Sequence, residues 1–454
     1  MKQERLGSRL GFILLSAGCA IGLGNVWTFP WRTSISGGGA FVLIYLICCV
    51  VVGLPVMVAE FSMGRKAQIS PVRMWTKLEK PGQKWGAVGV LSLIGNVALM
   101  AFYTTISGFF WYYMIKFLIG SSADLSFTTT YGSVPISVGF MILVVVLGFF
   151  VLSFDLQKGL ETVTKYLMVG LFILMIGLAV YVCTLPGAKE GLSFYLKPDF
   201  SVVTPLTVVK ALNQSFFSLS LGMGSMAIFG SYIGKERTML GESINVVALD
   251  TIVALLAGFI IFPVVYTYSD GIEAPGPELL FTTMSTLFNN MGGVGRVLGV
   301  LFFLFMIFAS MSTVFAVLEN ILAMVRDLTG WSRKKGCLIL GAAITAISIP
   351  MALGGSVFHD IFYFAEDGPG MGFLDMWSMI VEKFCQPIGA ICILLFCTWG
   401  KLGMGWTEFL EEANAGKGLK VANWMKVIFG IIAPAIILFV FVYGLITYGW
   451  AFCP

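Results

Sequence analysis

The sequence predicts an all-α membrane protein with about eleven transmembrane helices. Hydrophobic residues make up 58% of the 454 residues, against roughly 45–50% in a typical soluble domain. Charged residues make up 11%, less than half of the usual ~25%. Apolar runs long enough to cross a bilayer also recur along the chain. Because one water-soluble core cannot bury that much apolar surface, the bilayer is expected to be the solvent of this chain.

Eleven segments approach or exceed the ~18–20 apolar residues that a helix needs to cross a bilayer. Their expected bounds are 10–34, 39–64, 86–117, 134–153, 160–184, 205–232, 241–267, 295–325, 336–354, 373–400 and 420–450. We expect them to form one transmembrane domain over 1–454, without a separate soluble domain. The loop 270–293 is too polar to cross, and after its prolines we expect a short helix on the outer surface.

The distribution of Lys and Arg predicts the orientation in the membrane. Most of the 28 cations fall in the N-terminal segment and in alternate loops such as 65–85 and 326–335, while 119–133 and 268–294 contain none. Cytoplasmic loops carry the excess of Lys and Arg. We therefore expect an integral protein of the plasma (inner) membrane, with a cytoplasmic N-terminus and, after an odd number of spans, an extracytoplasmic C-terminus. The net charge of +4 is too small to indicate a nucleic-acid partner.

Two spans contain residues that break helices. Gly18, Gly22 and Gly24 crowd the middle of the first span, and the sixth contains the segment 214–224 with two further glycines. Each glycine costs a helix interior about 1 kcal/mol relative to alanine, and a broken helix survives in a membrane only around a cavity, a ligand or a partner. The alternative is close helix packing through small residues.

The broken spans begin two halves of five spans each, at about 10–184 and 205–400, and an extra span follows at about 420–450. Interrupted hydrophobic segments at corresponding positions of two halves indicate a transport site near the membrane midplane. Neutral side-chain oxygens lie at a similar depth, and hard cations prefer such ligands. For any single hydroxyl, a bond to its own helix is the alternative. These oxygens belong to Asn25, Ser218, Ser220, Ser312 and Thr313.

Three carboxylates fall inside spans, where an acid costs at least ~2.5 kcal/mol. Glu60 either accepts hydrogen bonds from unwound backbone N–H groups or snorkels to the cytoplasmic surface. For Glu319 we expect a structural hydrogen bond, and Asp250 is discussed below. Glu382, which is adjacent to Lys383, receives no role.

Four segments of the chain carry a resemblance to a known family. They are Gly22–Pro30, Gly37–Phe41, Pro55–Arg65 and Gln214–Gly224. Together they resemble the neurotransmitter:sodium symporters, which include the bacterial leucine transporter, and the eleven spans are similar to those of many bacterial members. The resemblance implies two inverted five-helix repeats with broken helices 1 and 6. It also implies Na⁺-coupled uptake of a small amino acid by alternating access.

The resemblance further implies two Na⁺ sites. The first, which includes the carboxylate of the substrate, matches Ala20, Asn25, Ser218 and Asp250. The second matches the backbone carbonyls of three residues and the hydroxyls of two others. These are Gly18, Ile21, Ala309, Ser312 and Thr313.

The substrate pocket implied by the resemblance has a largely apolar lining, which predicts a hydrophobic or aromatic amino acid. In this pocket Tyr103 closes over the substrate carboxylate and Phe217 forms a lid. The matching positions are Cys19, Ala20, Leu23, Gly24, Leu99, Tyr103, Phe217, Ser218, Ser220, Met223, Thr313 and Val317.

Two positions refine this prediction. Gly22 stands where amine-carrying relatives have an aspartate, which predicts a zwitterionic substrate.

Chloride-dependent relatives bind the anion beside a Tyr, a Gln and a Ser, matched here by Tyr45, Gln214 and Ser218. Asp250 replaces the neutral Asn of that site. Because two anions in a low-dielectric site repel strongly, we expect no chloride requirement.

The gates differ from the family pattern. Thr28 stands where the family has an arginine of the outer gate, so Arg32 or Asp375 is the candidate for that contact. Leu6 replaces the tryptophan of the N-terminal latch. The inner-gate positions that match are Ser231, Tyr232 and Asp327.

Other functions remain as alternatives. A membrane amino-acid sensor or receptor on the same scaffold would bind substrate without moving it. A channel is disfavoured because two broken helices suit alternating access better than a pore. An enzyme is not expected, because no nucleophile–base pair is visible and the chain has one histidine, His359.

Overall fold

The computed structural model describes residues 6–268, 278–358 and 373–447, apart from the side chains of residues 373, 375 and 447. His359 and the side chain of Asp375 therefore lie outside the described part. The described chain is all-helical in its regular structure, with two isolated β-bridges. The predicted all-α fold is confirmed.

Each predicted span corresponds to a helix or to a pair of helices. Nine described helices are long and apolar enough to cross a membrane alone, and span 1 does so as a bent pair. Spans 1 to 11 are Arg9–Ala20 with Gly24–Ile35, Gly39–Ala67, Gly86–Ile119, Val134–Leu152, Gln157–Val182, Pro205–Ser218 with Ser225–Ser231, Met239–Tyr268, Gly292–Thr329, Arg333–Ala352, Met376–Thr398 and Asn423–Ile446.

Short helices connect several spans. They are Pro71–Leu78, Phe127–Gly132, Ala188–Leu196, Met284–Asn290 and Trp406–Ala413. The helix expected between spans 7 and 8 is present as Met284–Asn290, after a wide turn at Leu279–Thr283. This helix does not simply lie on the surface, because its Phe288 is buried, and so is Phe281 in the turn before it. The ring of Phe281 packs 5.0 Å from that of Tyr113 in span 3.

Span 1 is broken at its middle. Its first helix ends at Ala20, and Ile21 has an extended backbone. The two helical parts are bent by 53° relative to each other. A Cβ on Gly24 would lie 2.9 Å from the Cα of Ser218, so glycine lets the break of span 1 approach the backbone of span 6.

Span 6 is broken at the corresponding place. Its first helix ends at Ser218 and the next begins at Ser225. Between them Ser220, Gly222 and Gly224 have positive φ values of 52°, 86° and 74°, a conformation that ends a helix and that glycine adopts at little cost. The Ser220 hydroxyl donates to the carbonyl of Cys19 at 3.0 Å, which ties the two breaks together. The predicted breaks of helices 1 and 6 are therefore confirmed.

Candidate substrate and sodium sites

A small cavity lies where the two helix breaks meet. Its walls come from spans 1, 3, 6, 8 and 10. The lining residues are Ala20, Gly22, Leu23, Gly24, Leu99, Tyr103, Phe217, Ser220, Thr313 and Gln386. Apart from Gly22 and Gln386, every one of them belongs to the pocket predicted from the sequence.

Of the remaining predicted pocket residues, Cys19 and Ser218 contact residues of this lining, and Met223 and Val317 are buried. The Cys19 carbonyl accepts the bond from Ser220, and Ser218 belongs to the first oxygen cluster described below. The Met223 carbonyl accepts a hydrogen bond from Asn96 Nδ2 at 2.8 Å. Val317 is fully buried. Gln386 was missed because a single glutamine in an apolar span carries no spacing signal that would place it at the pocket.

Tyr103 of span 3 and Gly22 of span 1 meet at one wall of the cavity. The Tyr103 hydroxyl accepts a hydrogen bond from the Leu23 N–H at 3.0 Å. A Cβ on Gly22 would collide with the Tyr103 hydroxyl and would lie 2.5 Å from Oγ1 of Thr313. Position 22 therefore has no room for a side chain in this arrangement.

The first oxygen cluster, Asn25, Ser218 and Asp250, joins spans 1, 6 and 7. Asn25 Nδ2 donates to Asp250 Oδ1 at 2.8 Å and to Ser218 Oγ at 3.1 Å. The Ser218 hydroxyl lies 2.6 Å from Asp250 Oδ2, to which it donates, and 2.9 Å from the Tyr45 hydroxyl. All these side chains are fully buried. Ala20, the last residue of the first helix of span 1, lines the cavity.

The donor set of this first cluster fits a monovalent hard cation. It combines one carboxylate with neutral oxygens, the ligand type that such ions prefer. A buried carboxylate without a nearby positive charge is costly, and the described partners of Asp250 in this cluster are neutral. A bound Na⁺ would compensate its charge.

A second cluster of oxygens joins the break of span 1 to span 8. The Thr313 hydroxyl lies 3.2 Å from the Gly18 carbonyl and 3.0 Å from the Ile21 carbonyl. The Ser312 hydroxyl lies 3.5 Å from the Ile21 carbonyl and 2.8 Å from the Ala309 carbonyl. The structure thus brings together the five oxygens that the resemblance implies, in a set that also fits a hard cation.

The comparison with known proteins gives the family. The model of the Sodium:neurotransmitter symporter family matches residues 3–133 and 122–451. The chain belongs to this family. It is 32% identical over 450 residues to an uncharacterised sodium-dependent transporter of Bacillus subtilis, covering 96% of this chain and 97% of that one. An uncharacterised sodium-dependent transporter of Methanocaldococcus jannaschii is 31% identical over 459 residues, with coverage of 96% and 89%.

A solved structure of the same fold is also similar to this chain. It is the crystal structure of MhsT in complex with L-phenylalanine, with a TM-score of 0.86 and 32% sequence identity. The match covers 97% of this chain and 99% of MhsT. The chain is therefore a membrane-embedded member of a sodium-dependent transporter family, with the fold of MhsT.

Glu60 satisfies backbone donors at the break of span 6. It is fully buried in span 2. Its carboxylate accepts from the Gly222 N–H at 3.1 Å and from the Met226 N–H at 3.0 Å. The first interpretation of Glu60 is confirmed and the snorkelling one is wrong. Backbone N–H groups freed in a membrane need such acceptors.

On the side predicted to face outwards, Arg32 forms an ion pair with Glu382 of span 10. Arg32 Nη2 lies 2.6 Å from Glu382 Oε2, and Arg32 Nη1 donates to Gln214 Oε1 at 3.0 Å. Gln214 Oε1 also accepts from Thr28 Oγ1 at 3.0 Å, and Nε2 donates to the Gly24 carbonyl at 2.7 Å. Arg32 lies one turn beyond Thr28, so a cation still reaches span 10 from this helix face.

The expectation that Glu382 has no role is wrong, because this carboxylate pairs with Arg32. Its adjacency to Lys383 showed that the two side chains diverge but did not show which of them faces span 1. In the structure Glu382 lies in a wide turn of span 10, Ile380–Cys385, and its side chain is 8% exposed. It is the acidic partner of Arg32.

On the opposite side, the N-terminal segment is fixed without the family latch. The Leu6 N–H donates to the Tyr232 carbonyl at 3.2 Å. Arg9 pairs with Glu242 of span 7 at 2.9 Å. The Gly7 N–H donates to Glu161 of span 5 at 2.7 Å. Backbone and charged contacts therefore replace the missing tryptophan.

The predicted structural bond of Glu319 is confirmed on this same side. Its carboxylate accepts from the Tyr232 hydroxyl at 3.0 Å and pairs with Arg333 at 2.6 Å. Asp327, the acid that matches the inner gate of the family, accepts a hydrogen bond from the Ser70 N–H at 2.9 Å.

Proposed function

We propose that this chain is a Na⁺-coupled symporter that takes up a hydrophobic or aromatic amino acid by alternating access. One observation carries the proposal: Thr313 both lines the cavity and supplies a hydroxyl to the second oxygen cluster. Ala20 also lines the cavity, and its carbonyl is a proposed ligand of the first Na⁺. A substrate in the cavity therefore contacts residues that also bind Na⁺.

Shared residues make binding of substrate and Na⁺ interdependent. If Na⁺ raises the affinity for the substrate, the substrate raises the affinity for Na⁺ by the same factor. Each Na⁺ that moves down a 100 mV potential supplies about 2.3 kcal/mol. Two ions, one in each oxygen cluster, would thus drive accumulation of the substrate against its gradient.

The chemistry of the cavity favours a zwitterionic substrate with an apolar side chain. Among the described residues that line it there is no acid, no lysine and no arginine. Gly22 leaves no room for an aspartate that would pair with an amine. The carboxylate of an amino acid would meet the Tyr103 hydroxyl and the first Na⁺, and its ammonium group would meet backbone carbonyls of the breaks. The L-phenylalanine bound to MhsT supports this substrate class.

Asp250 supports independence from chloride. Its two carboxylate oxygens accept from Asn25 and Ser218, so a fixed negative charge stands beside the proposed first Na⁺. Gln214, which matches the chloride ligands in sequence, bonds instead to Gly24, Thr28 and Arg32. An added anion beside Asp250 would be repelled.

We further propose the topology deduced from the cations: a cytoplasmic N-terminus and an extracytoplasmic C-terminus. The single domain 1–454 would then consist of two inverted repeats, about 10–184 and 205–400, and an extra span at about 420–450. The Arg32–Glu382 pair would close the outer side, and Leu6, Arg9 and Tyr232 would close the inner side.

Counterflow in proteoliposomes distinguishes a symporter from a membrane amino-acid sensor. Vesicles loaded with unlabelled L-phenylalanine and Na⁺ are diluted into labelled L-phenylalanine. A symporter accumulates label transiently, because exchange across the membrane is faster than net loss. Na⁺-dependent binding without counterflow would contradict transport and would support the sensor.

A further inference from the structure

Gln386 is a buried polar residue at the substrate cavity that has no part in the Na⁺ clusters. It belongs to span 10, is 1% exposed and lines the cavity. Its backbone is pressed against the break of span 6, because a Cβ on Gly222 would collide with the Gln386 carbonyl. A Cβ on Gly389, one turn later, would collide with the Gly222 carbonyl. Span 10 is thus held in a fixed position along this wall.

The amide of Gln386 is only half used within the protein. Nε2 donates to the Phe216 carbonyl at 3.4 Å, and this bond identifies the nitrogen end of the amide. Oε1 is buried and has no hydrogen-bond partner among the described residues. Buried polar atoms are nearly always paired, and an unpaired acceptor is costly. An acceptor left unpaired beside a ligand cavity indicates that the ligand supplies the donor.

The chemistry of this acceptor selects the part of the ligand that meets it. The ionised carboxylate of an amino acid has no donor. In the proposed binding mode the ammonium group meets the backbone carbonyls of the helix breaks, while Gln386 contacts span 6 at Phe216 and Gly222. The donor to Oε1 is therefore assigned to the side-chain end of a bound amino acid.

We propose that Gln386 Oε1 accepts a hydrogen bond from the side chain of an aromatic substrate, and so favours an amino acid with a phenol O–H or an indole N–H. Such side chains combine a large apolar body with one donor, which matches Leu99 and Phe217 beside one free acceptor. The inference rests on the proposed amino-acid transport and names the specificity of that same pocket. Gln386 is then a specificity-determining residue.

The size of the effect follows from the unpaired acceptor. A site built to bond a substrate O–H or N–H rejects the analogue that lacks it, because the polar group of the site is left unpaired. We expect tyrosine to bind at least about 10-fold more tightly than phenylalanine. Tryptophan should exceed its 3-benzothienylalanine analogue, which has sulfur in place of the indole N–H, by a similar factor.

The test measures Na⁺-dependent binding of these two pairs to purified full-length protein, in the wild type and in Gln386→Met. The substitution keeps the length of the side chain and removes the oxygen and the nitrogen of its amide. We expect the preference for the donor in each pair to fall to less than about 3-fold, with the affinity for phenylalanine retained. Gln83→Met, at a glutamine bonded to Lys401 and Lys80 backbone groups far from the cavity lining, should keep the wild-type preference.

Several outcomes would overturn the inference. Equal affinity of the wild type within each pair would show that Oε1 meets no side-chain donor, and this result needs no variant. An equal loss of all four ligands in Gln386→Met would assign the acceptor to the ammonium group. If the wild type binds none of the four in Na⁺, the proposed function itself fails. If it binds them all without regard to the donor, only this inference fails.

Discussion

Thr313 belongs both to the cavity lining and to the second oxygen cluster. Its hydroxyl lies within 3.2 Å of two carbonyls of the broken helix and its side chain lines the cavity. A hydroxyl that merely satisfied its own helix would bond one turn back. Here the distance to the Ala309 carbonyl of the same helix is 3.5 Å, longer than either distance to span 1.

Replacing Thr313 by valine keeps the shape of the side chain but removes one oxygen ligand. We expect the Na⁺ concentration for half-maximal uptake to rise by at least about 10-fold, since a charge-assisted ligand contributes about 1.5–3 kcal/mol. Uptake measured against Na⁺ concentration tests this. Thr345→Val is the matched control, because that hydroxyl bonds the Gly341 carbonyl of its own helix at 2.8 Å. An unchanged Na⁺ dependence in Thr313→Val would exclude it as a ligand.

Asp250 makes a second prediction at the scale of one residue. If its fixed charge replaces chloride, wild-type uptake will be the same in chloride and in gluconate. Asp250→Asn removes the charge and replaces one acceptor oxygen by an amide nitrogen while keeping the shape of the side chain, so uptake should fall in gluconate and recover partly when chloride is added. Strong chloride dependence of the wild type, or no effect of chloride on the variant, would contradict the assignment.

Among the helices, the ion pair of Arg32 and Glu382 joins the second helix of span 1, Gly24–Ile35, to span 10. Both side chains are largely buried, at 14% and 8% exposure, so removing one partner leaves a desolvated charge that costs about 3–5 kcal/mol. Gln214 adds span 6 to the same contact. Through Gln214 this contact connects spans 1 and 6, the two broken helices.

We expect Arg32→Met and Glu382→Gln each to speed dissociation of bound amino acid by at least about 10-fold, because each weakens closure of the cavity. The double variant should release bound amino acid no faster than either single variant. Dissociation of labelled amino acid in Na⁺ measures this. Glu408→Gln is the control, because its pair with Lys66 is more exposed, at 46% and 27%, and such surface pairs contribute ~0–1 kcal/mol. Additive effects of the Arg32 and Glu382 changes would show that the two do not act as a pair.

The helix breaks could be predicted from the sequence, while the acidic partner of Arg32 could not. Gly22, Gly24 and Gly222 are local signals, because glycine weakens a helix wherever the helix lies. The partners of Arg32 and the free oxygen of Gln386 depend on the packing of span 10 against spans 1 and 6. A sequence gives the polarity of such residues but not the face of the bundle that they occupy.

Across the whole molecule, both sides of the cavity are held by contacts between different spans. Arg32, Gln214 and Glu382 join spans 1, 6 and 10 on one side, and Arg9, Glu242 and Glu319 take part in contacts on the other. Composition predicted the membrane, and the cation pattern predicted which side faces the cytoplasm. The eleven spans were predictable because each carries its own hydropathy signal. The wide turns within them, such as Ile380–Cys385, have no such signal.

Na⁺-driven accumulation tests the central claim most directly. Proteoliposomes that contain the purified protein receive labelled L-phenylalanine outside, with either an inward Na⁺ gradient or an equal K⁺ concentration. The account predicts accumulation above the external concentration with the Na⁺ gradient and an interior-negative potential, and only equilibration when the gradient is dissipated. Accumulation that is the same in Na⁺ and K⁺, or no uptake of any hydrophobic or aromatic amino acid in Na⁺, would contradict it.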